Sequence, residues 1–271
     1  MPELTRDALF EALRQRRHYG TTGARIFIDV IGSFDHPVTG FSDDPQLGVC
    51  QEIPVRQAMI GGIIRPGSVP MRLAADIIGT APIERVDVLH GAHVVETIRP
   101  YSAAGIGRRV RILWQGAEYR GRGRETFWQG KLAVANNSIV RHAPVNFLNL
   151  ERKVEEAVAG RVLTWTSVTT GNLAGIDLWL EEAGHGMLTI ETNVVSGHVD
   201  LAALLDEPVV LEGGGLGQLL SAYRLPDSDW ERSVSLEHMV SFSGGDDVPV
   251  LLRVTQADGH QAWTSPIYLI A

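Results

Sequence analysis

The chain has 271 residues, 44% of them hydrophobic, and a formal net charge of -8, which is enough apolar material for one large core or two smaller ones. An acidic balance excludes a duplex-wrapping nucleic-acid binder, because neutralising phosphates needs a basic surface. Cys50 is the only cysteine, so neither an intrachain disulfide framework nor a thiolate metal site can form.

The N-terminus lacks a charged region followed by an apolar one, and no apolar run approaches about 18 residues. The expectation is a chain with no membrane partner, cytoplasmic by default, with an upstream signal peptide left open. From Thr5 to His18 the pattern is helical, with Ala8, Leu9, Ala12 and Leu13 forming one apolar stripe. Thr5 can cap this helix, Asp7 suits its first turn, and Arg14, Arg16, Arg17 and His18 suit its last. Gly20 and Gly23 then stop it.

Beyond Gly23 the period changes from 3.6 to 2. Ile26, Ile28 and Val30 share a face; Val69, Met71, Leu73 and Ala75 form the next strand, and Val86 and Val88 follow the turn at Thr80-Ala81-Pro82. Alternation recurs at Val110, Ile112 and Trp114, at Ile176, Leu178 and Leu180, at Leu188 and Ile190, and at Val248 to Val254. Two stretches read as short helices, one on Leu150, Val154 and Val158 and one from Val199 to Leu205. Residues 34–51 and 211–217 read as irregular, the latter a loop containing Gly213-Gly214-Gly215. The fold class expected is mainly β: an antiparallel β-sandwich region of two packed sandwiches with one N-terminal amphipathic helix.

Chemistry-bearing clusters are few. His90-Gly91-Ala92-His93 reads as a turn, and His198 with Asp200 as incidental polarity on one strand face, with His185 nearby; no metal site is expected from them. The most suggestive cluster is Arg120, Arg122 and Arg124 with Arg108, Arg109 and Arg111, interleaved with Trp114, Tyr119 and Trp128. Guanidinium and aromatic groups can stack planar ligands, so Trp114, Tyr119, Arg122 and Trp128 are the candidate ligand surface. The competing reading is a solvated, salt-bridged strand face. An exposed coplanar pair among Trp114, Tyr119, Trp128 and Trp179 would favour a carbohydrate-binding module.

The segment from Leu4 to Arg14, followed by Arg16-Arg17-His18-Tyr19-Gly20-Thr21-Thr22-Gly23-Ala24-Arg25-Ile26, resembles a motif of the bacterial family called domain of unknown function three-six-zero-four. Leu252-Arg253-Val254-Thr255-Gln256-Ala257-Asp258-Gly259-His260-Gln261-Ala262-Trp263-Thr264-Ser265-Pro266-Ile267 resembles its terminal motif, and Pro82 to Leu89 its strand after a turn. That family is similar to the PHP (polymerase and histidinol phosphatase) superfamily of metal-dependent hydrolases. The resemblance implies that residues 1–23 are the terminal helix of a PHP-like domain whose His and Asp ligands lie upstream. It further implies an immunoglobulin-like sandwich from 24–105 with 232–271, and a second β domain inserted at 106–231.

On that reading the chain is a non-catalytic accessory β region with no cofactor of its own, the divalent metal belonging to the missing domain. Arg17, Tyr19, Thr21 and Thr22 would lie at the interdomain or active-site rim, although on chemistry alone Thr21 and Thr22 better suit bracing of the helix-to-strand turn. The expected partners are the missing PHP-like domain or a second copy through the helix. A ligand-binding sandwich and an autonomous enzyme are the alternatives.

Overall fold

Alternating burial along the chain produces a mainly β molecule with a single α-helix among the residues described by this computed structural model, 3–121, 124–147, 149 and 151–271. Helix α1 (Arg6–Arg14) is followed by β1 (Tyr19–Thr21), β2 (Phe27–Phe41), β3 (Glu52–Met59) and β4 (Ile63–Arg65). Strands β5 (Met71–Ile78), β6 (Ile83–His90) and β7 (His93–Ile98) complete this part. In β5 the side chains of Met71, Leu73, Ala75 and Ile77 point inward and alternate with more exposed neighbours. That is the period-2 pattern of a half-buried strand.

The expected irregular segment from residue 34 is partly corrected, since β2 continues through Phe34 to Phe41. Pairing with β3 is interrupted between Ser33 and Val38 and then resumes. Pro37 falls within that interruption, where it costs no ladder hydrogen bond. Sequence periodicity reads such a bulge as the end of a strand.

The chain divides into two compact units, residues 1–100 with 230–271 and residues 101–229. The second contains β8 (Ile106–Ala117), β9 (Thr126–Ala135), β10 (Ile139–Val145), β11 (Val154–Val158) and β12 (Val162–Thr169). After these come β13 (Leu173–Leu180), β14 (Met187–Thr192), β15 (Ser196–Asp200), β16 (Val209–Gly214) and β17 (Leu216–Pro226). They form two five-stranded antiparallel sheets, ordered β10-β13-β8-β17-β16 and β11-β12-β9-β14-β15.

Both sheets feed one core. Val110, Ile112 and Trp114 enter it from the first, and Trp128, Leu132, Leu163 and Trp165 from the second. Trp114 and Trp165 stack with centroids 4.8 Å apart, which ties the sheets together through large apolar rings.

Both expected short helices are corrected here. Val154 and Val158 lie on β11, an edge strand joined to β12 by a tight turn at Gly160, whose φ is +64°; Leu150 lies outside the described residues. Val199 lies on β15, and the residues after it turn rather than coil, because the Asp200 carboxylate accepts the Ala202 N–H. Leu201 and Leu204 are then buried in the core. A valine pair at i, i+4 suits a strand with a one-residue irregularity as well as it suits a helix, and β-branching favours the strand.

The chain returns to the first unit with β18 (Ser233–Val240), β19 (Val248–Gln256), β20 (Gln261–Thr264) and β21 (Ile267–Leu269). An eleven-stranded sheet runs β1-β20-β19-β21-β4-β2-β5-β18, with β3 on β2 and the β6–β7 hairpin on β19. Val250 pairs with His90 and Leu252 with Val88. Pairing throughout is antiparallel except between β21 and β4. One core joins Ile28, Val30, Leu73 and Ile77 from β2 and β5 to Val86, Val88, Leu252 and Val254 from β6 and β19.

Candidate functional site

The segment from Thr5 to Gly23 is built outward from a sheet edge. Thr5 caps α1 by accepting the Ala8 N–H at 3.2 Å, with Asp7 in the first turn and Arg14 in the last. The helix ends where Arg16 takes a φ of +57° and the Arg17 N–H bonds back to Ala12 at 2.8 Å. Gly61 receives this turn: a Cβ there would stand 2.1 Å from the Gln15 carbonyl oxygen, and its φ of +82° itself favours glycine. Arg16 Nε donates to the Gly61 carbonyl at 3.2 Å, and its guanidinium lies over the Tyr268 ring.

Strand β1 then pairs with β20, Tyr19 opposite Thr264 and Thr21 opposite Ala262. The Tyr19 hydroxyl donates to the Ile26 carbonyl at 3.0 Å. Thr21 Oγ1 accepts the Gly23 N–H, while Thr22 Oγ1 accepts the Gln261 N–H at 2.9 Å and lies 3.0 Å from His260 Nδ1. The three hydroxyls thus brace the helix-to-strand turn within the chain. Arg17 remains exposed and lines a groove of about 470 Å³ with Arg16, Phe41, Ile53 and Val55.

This ledge leaves an apolar stripe exposed among its charged residues. No residue of α1 is buried, and Leu9 and Leu13 remain 46% and 50% exposed. Phe10 is exposed as well, with the Arg6 guanidinium over its ring. The stripe read from the sequence is therefore present and uncovered.

The aromatic ligand surface is corrected. Trp114 and Trp128 are fully buried, and their indole N–H groups donate inward to Ser167 Oγ at 3.1 Å and Thr169 Oγ1 at 2.8 Å. Trp128 stands at an inward position between the exposed Phe127 and Gln129, and Trp114 lies in a stretch of β8 buried on both faces, so strand register places both rings in the core. Tyr119 is half exposed, and Arg122 lies outside the described residues. Trp179 is flanked by the guanidiniums of Arg109 and Arg141, with its N–H held by the Asp227 carbonyl. No coplanar exposed pair forms among the four aromatics.

The arginines expected on a solvated strand face are instead partly interior. Arg109 and Arg111 are buried and converge on Asp177, Arg111 Nε reaching Oδ1 at 2.7 Å and Arg109 Nη2 reaching Oδ2 at 2.6 Å. Burial alone would raise the Asp177 carboxyl, but the Arg111 and then the Arg109 guanidiniums outweigh it and hold its pKa below the ordinary carboxylate range. In the first unit Asp87 plays a similar part, receiving Arg253 at 2.7 Å and the Thr97 hydroxyl at 2.8 Å. A residue such as Asp177 was legible only as the odd acid among Ile176, Leu178 and Leu180, opposite Arg111 once the register is known.

The histidines sit in separate pairings, except that His238 lies near enough to His90 for their charges to interact. His90 and His93 face each other across the β6–β7 turn, His198 Nδ1 lies 3.1 Å from Thr189 Oγ1, and His238 pairs with Glu96. Among the described residues no group of three or more His, Cys, Asp or Glu side chains is placed to hold a metal ion. No helix among them is long and apolar enough to cross a membrane. Comparison with family models, with curated proteins and with solved structures finds no match to this chain.

Proposed function

We propose that this chain is the non-catalytic accessory β region of a PHP-like metal-dependent hydrolase, packing against and positioning the catalytic part through α1. The observation that carries the reading is the uncovered stripe of Leu9 and Leu13 on a helix capped by its own Thr5 and seated on the sheet at its C-terminal end. An apolar face on a short helix is stabilised chiefly by packing, so a fixed ledge that presents one is suited to receive a partner. In this reading Arg17 would lie at the rim of the joined parts, while Tyr19, Thr21 and Thr22 brace the turn that follows the helix. In this reading a divalent metal and the hydrolytic chemistry reside in the partner domain.

The coding sequence upstream of Met1, expressed together with this chain, tests the proposal. The expected result is a product with His-x-His and Asp-x-His elements that retains manganese or zinc and holds this chain in an equimolar assembly. Leu9→Asp with Leu13→Asp should weaken that assembly at least about tenfold. An upstream frame without such elements, or an assembly indifferent to both substitutions, contradicts it.

A further inference from the structure

The outward face of the β11-β12-β9-β14-β15 sheet carries a groove of about 540 Å³ that the docking reading leaves unused. Its floor is laid by alternation: Gln129 and Lys131 on β9, and Thr164 and Thr166 on β12, stand opposite each other across the ladder. Glu155 joins from β11, opposite Thr164, and Glu191 from β14, opposite Lys131. Glu151 and Lys153 line one side and Asn193 the other. The size falls within the range of small-molecule sites, about 300–1,000 Å³.

The floor combines polar side chains open to a ligand with a fixed backbone. The inward hydroxyls of the same strand are committed, Ser167 to Trp114 and Thr169 to both Trp128 and the Gly116 carbonyl. By contrast, among the described residues the side chains of Gln129, Thr164, Thr166 and Glu155 make no intrachain hydrogen bond. The floor is also rigidly backed, because the Trp165 ring lies where a Cβ on Gly130 would be, 2.1 Å away, locking β12 against β9 from beneath. The backbone beneath the groove is thus fixed, so a ligand has only the side chains of its floor to order.

The groove's charges nearly cancel, with Lys131 and Lys153 set against Glu151, Glu155 and Glu191. Such a site offers carboxylates as acceptors, an amide with both roles, and hydroxyls and ammoniums as donors, without a field that selects an ion of either sign. On the same face as Gln129, Phe127 is half exposed with the Arg152 guanidinium over its ring, placing an apolar ring edge two residues along the strand. We propose that this groove binds a neutral polyhydroxylated ligand, a short oligosaccharide segment, with Gln129, Glu155, Thr164 and Glu191 as its principal hydrogen-bonding groups. The inference does not depend on the role of α1.

Calorimetric titration of the full chain with cellohexaose, xylohexaose, maltohexaose and chitohexaose, and with a heparin hexasaccharide as the charged probe, tests it. The expected result is binding of at least one neutral probe at about 1 mM or tighter. Gln129→Ala and Glu155→Ala should each weaken it at least about tenfold, with Thr164→Lys abolishing it. Phe10→Ala on α1 should leave it unchanged. The three groove substitutions change outward side chains, and unaltered melting curves would show that the fold is kept. Failure of all four neutral probes to bind, binding of heparin alone, or binding insensitive to the groove substitutions would each overturn the proposal.

Discussion

At the scale of single residues, Asp177 is the side chain on which the second unit's interior polarity depends. It is almost wholly buried and answers two buried guanidiniums, so Asp177→Asn would leave cationic charge in the interior. A loss of about 3–5 kcal/mol is expected by analogy with other broken buried pairs, measured by denaturant unfolding. Because its folded pKa lies below the unfolded one, the stability it contributes is present above about pH 4 and is lost as pH falls through the lower folded value. His90 acts in the same direction by another cause. Burial first, and the neighbouring His238 second, lower its pKa, so the folded state prefers the neutral ring and stability falls as pH drops below about 6.5. His90→Asn should flatten the slope of stability against pH just below that value, and an unchanged slope would assign the acid sensitivity elsewhere.

At the scale of elements, α1 and β1 illustrate what was legible. The helix was readable because a threonine cap, an acidic first turn and a basic last turn agree with the apolar spacing. That its end seats on Gly61 was not readable, since nothing local marks a glycine more than forty residues away as its receiver. Gly61→Ala should cost about 1–3 kcal/mol through a strained φ and a clash with the Gln15 carbonyl. The loss should appear as detachment of α1, with the β signal in far-ultraviolet circular dichroism retained. The two misread helices fail for a related reason: spacing in a short apolar segment is ambiguous, and the deciding contacts, β11 on β12 and Leu201 in the core, are long-range. The bulge at Ser33 to Val38 hid half of β2 in the same way.

At the scale of the whole molecule, the mainly β sandwich class follows directly from strand-length alternation punctuated by glycine and proline. The sites were less legible than the fold, because side-chain type says little about which face a strand presents until register is known. Trp114 and Trp128 looked like ligand platforms by residue type and are core by register; Gln129 and Thr166 looked ordinary and stand in an open groove. If α1 docks a partner as proposed, amide hydrogen exchange registers it most directly. In the isolated chain the amides of Leu9 to Arg14 should exchange far faster than those of Leu252 and Val254 in β19, and should slow at least about a hundredfold in an assembly with the proposed PHP-like partner. Protection of α1 equal to that of β19 in the isolated chain, or no slowing in the assembly, would contradict the account.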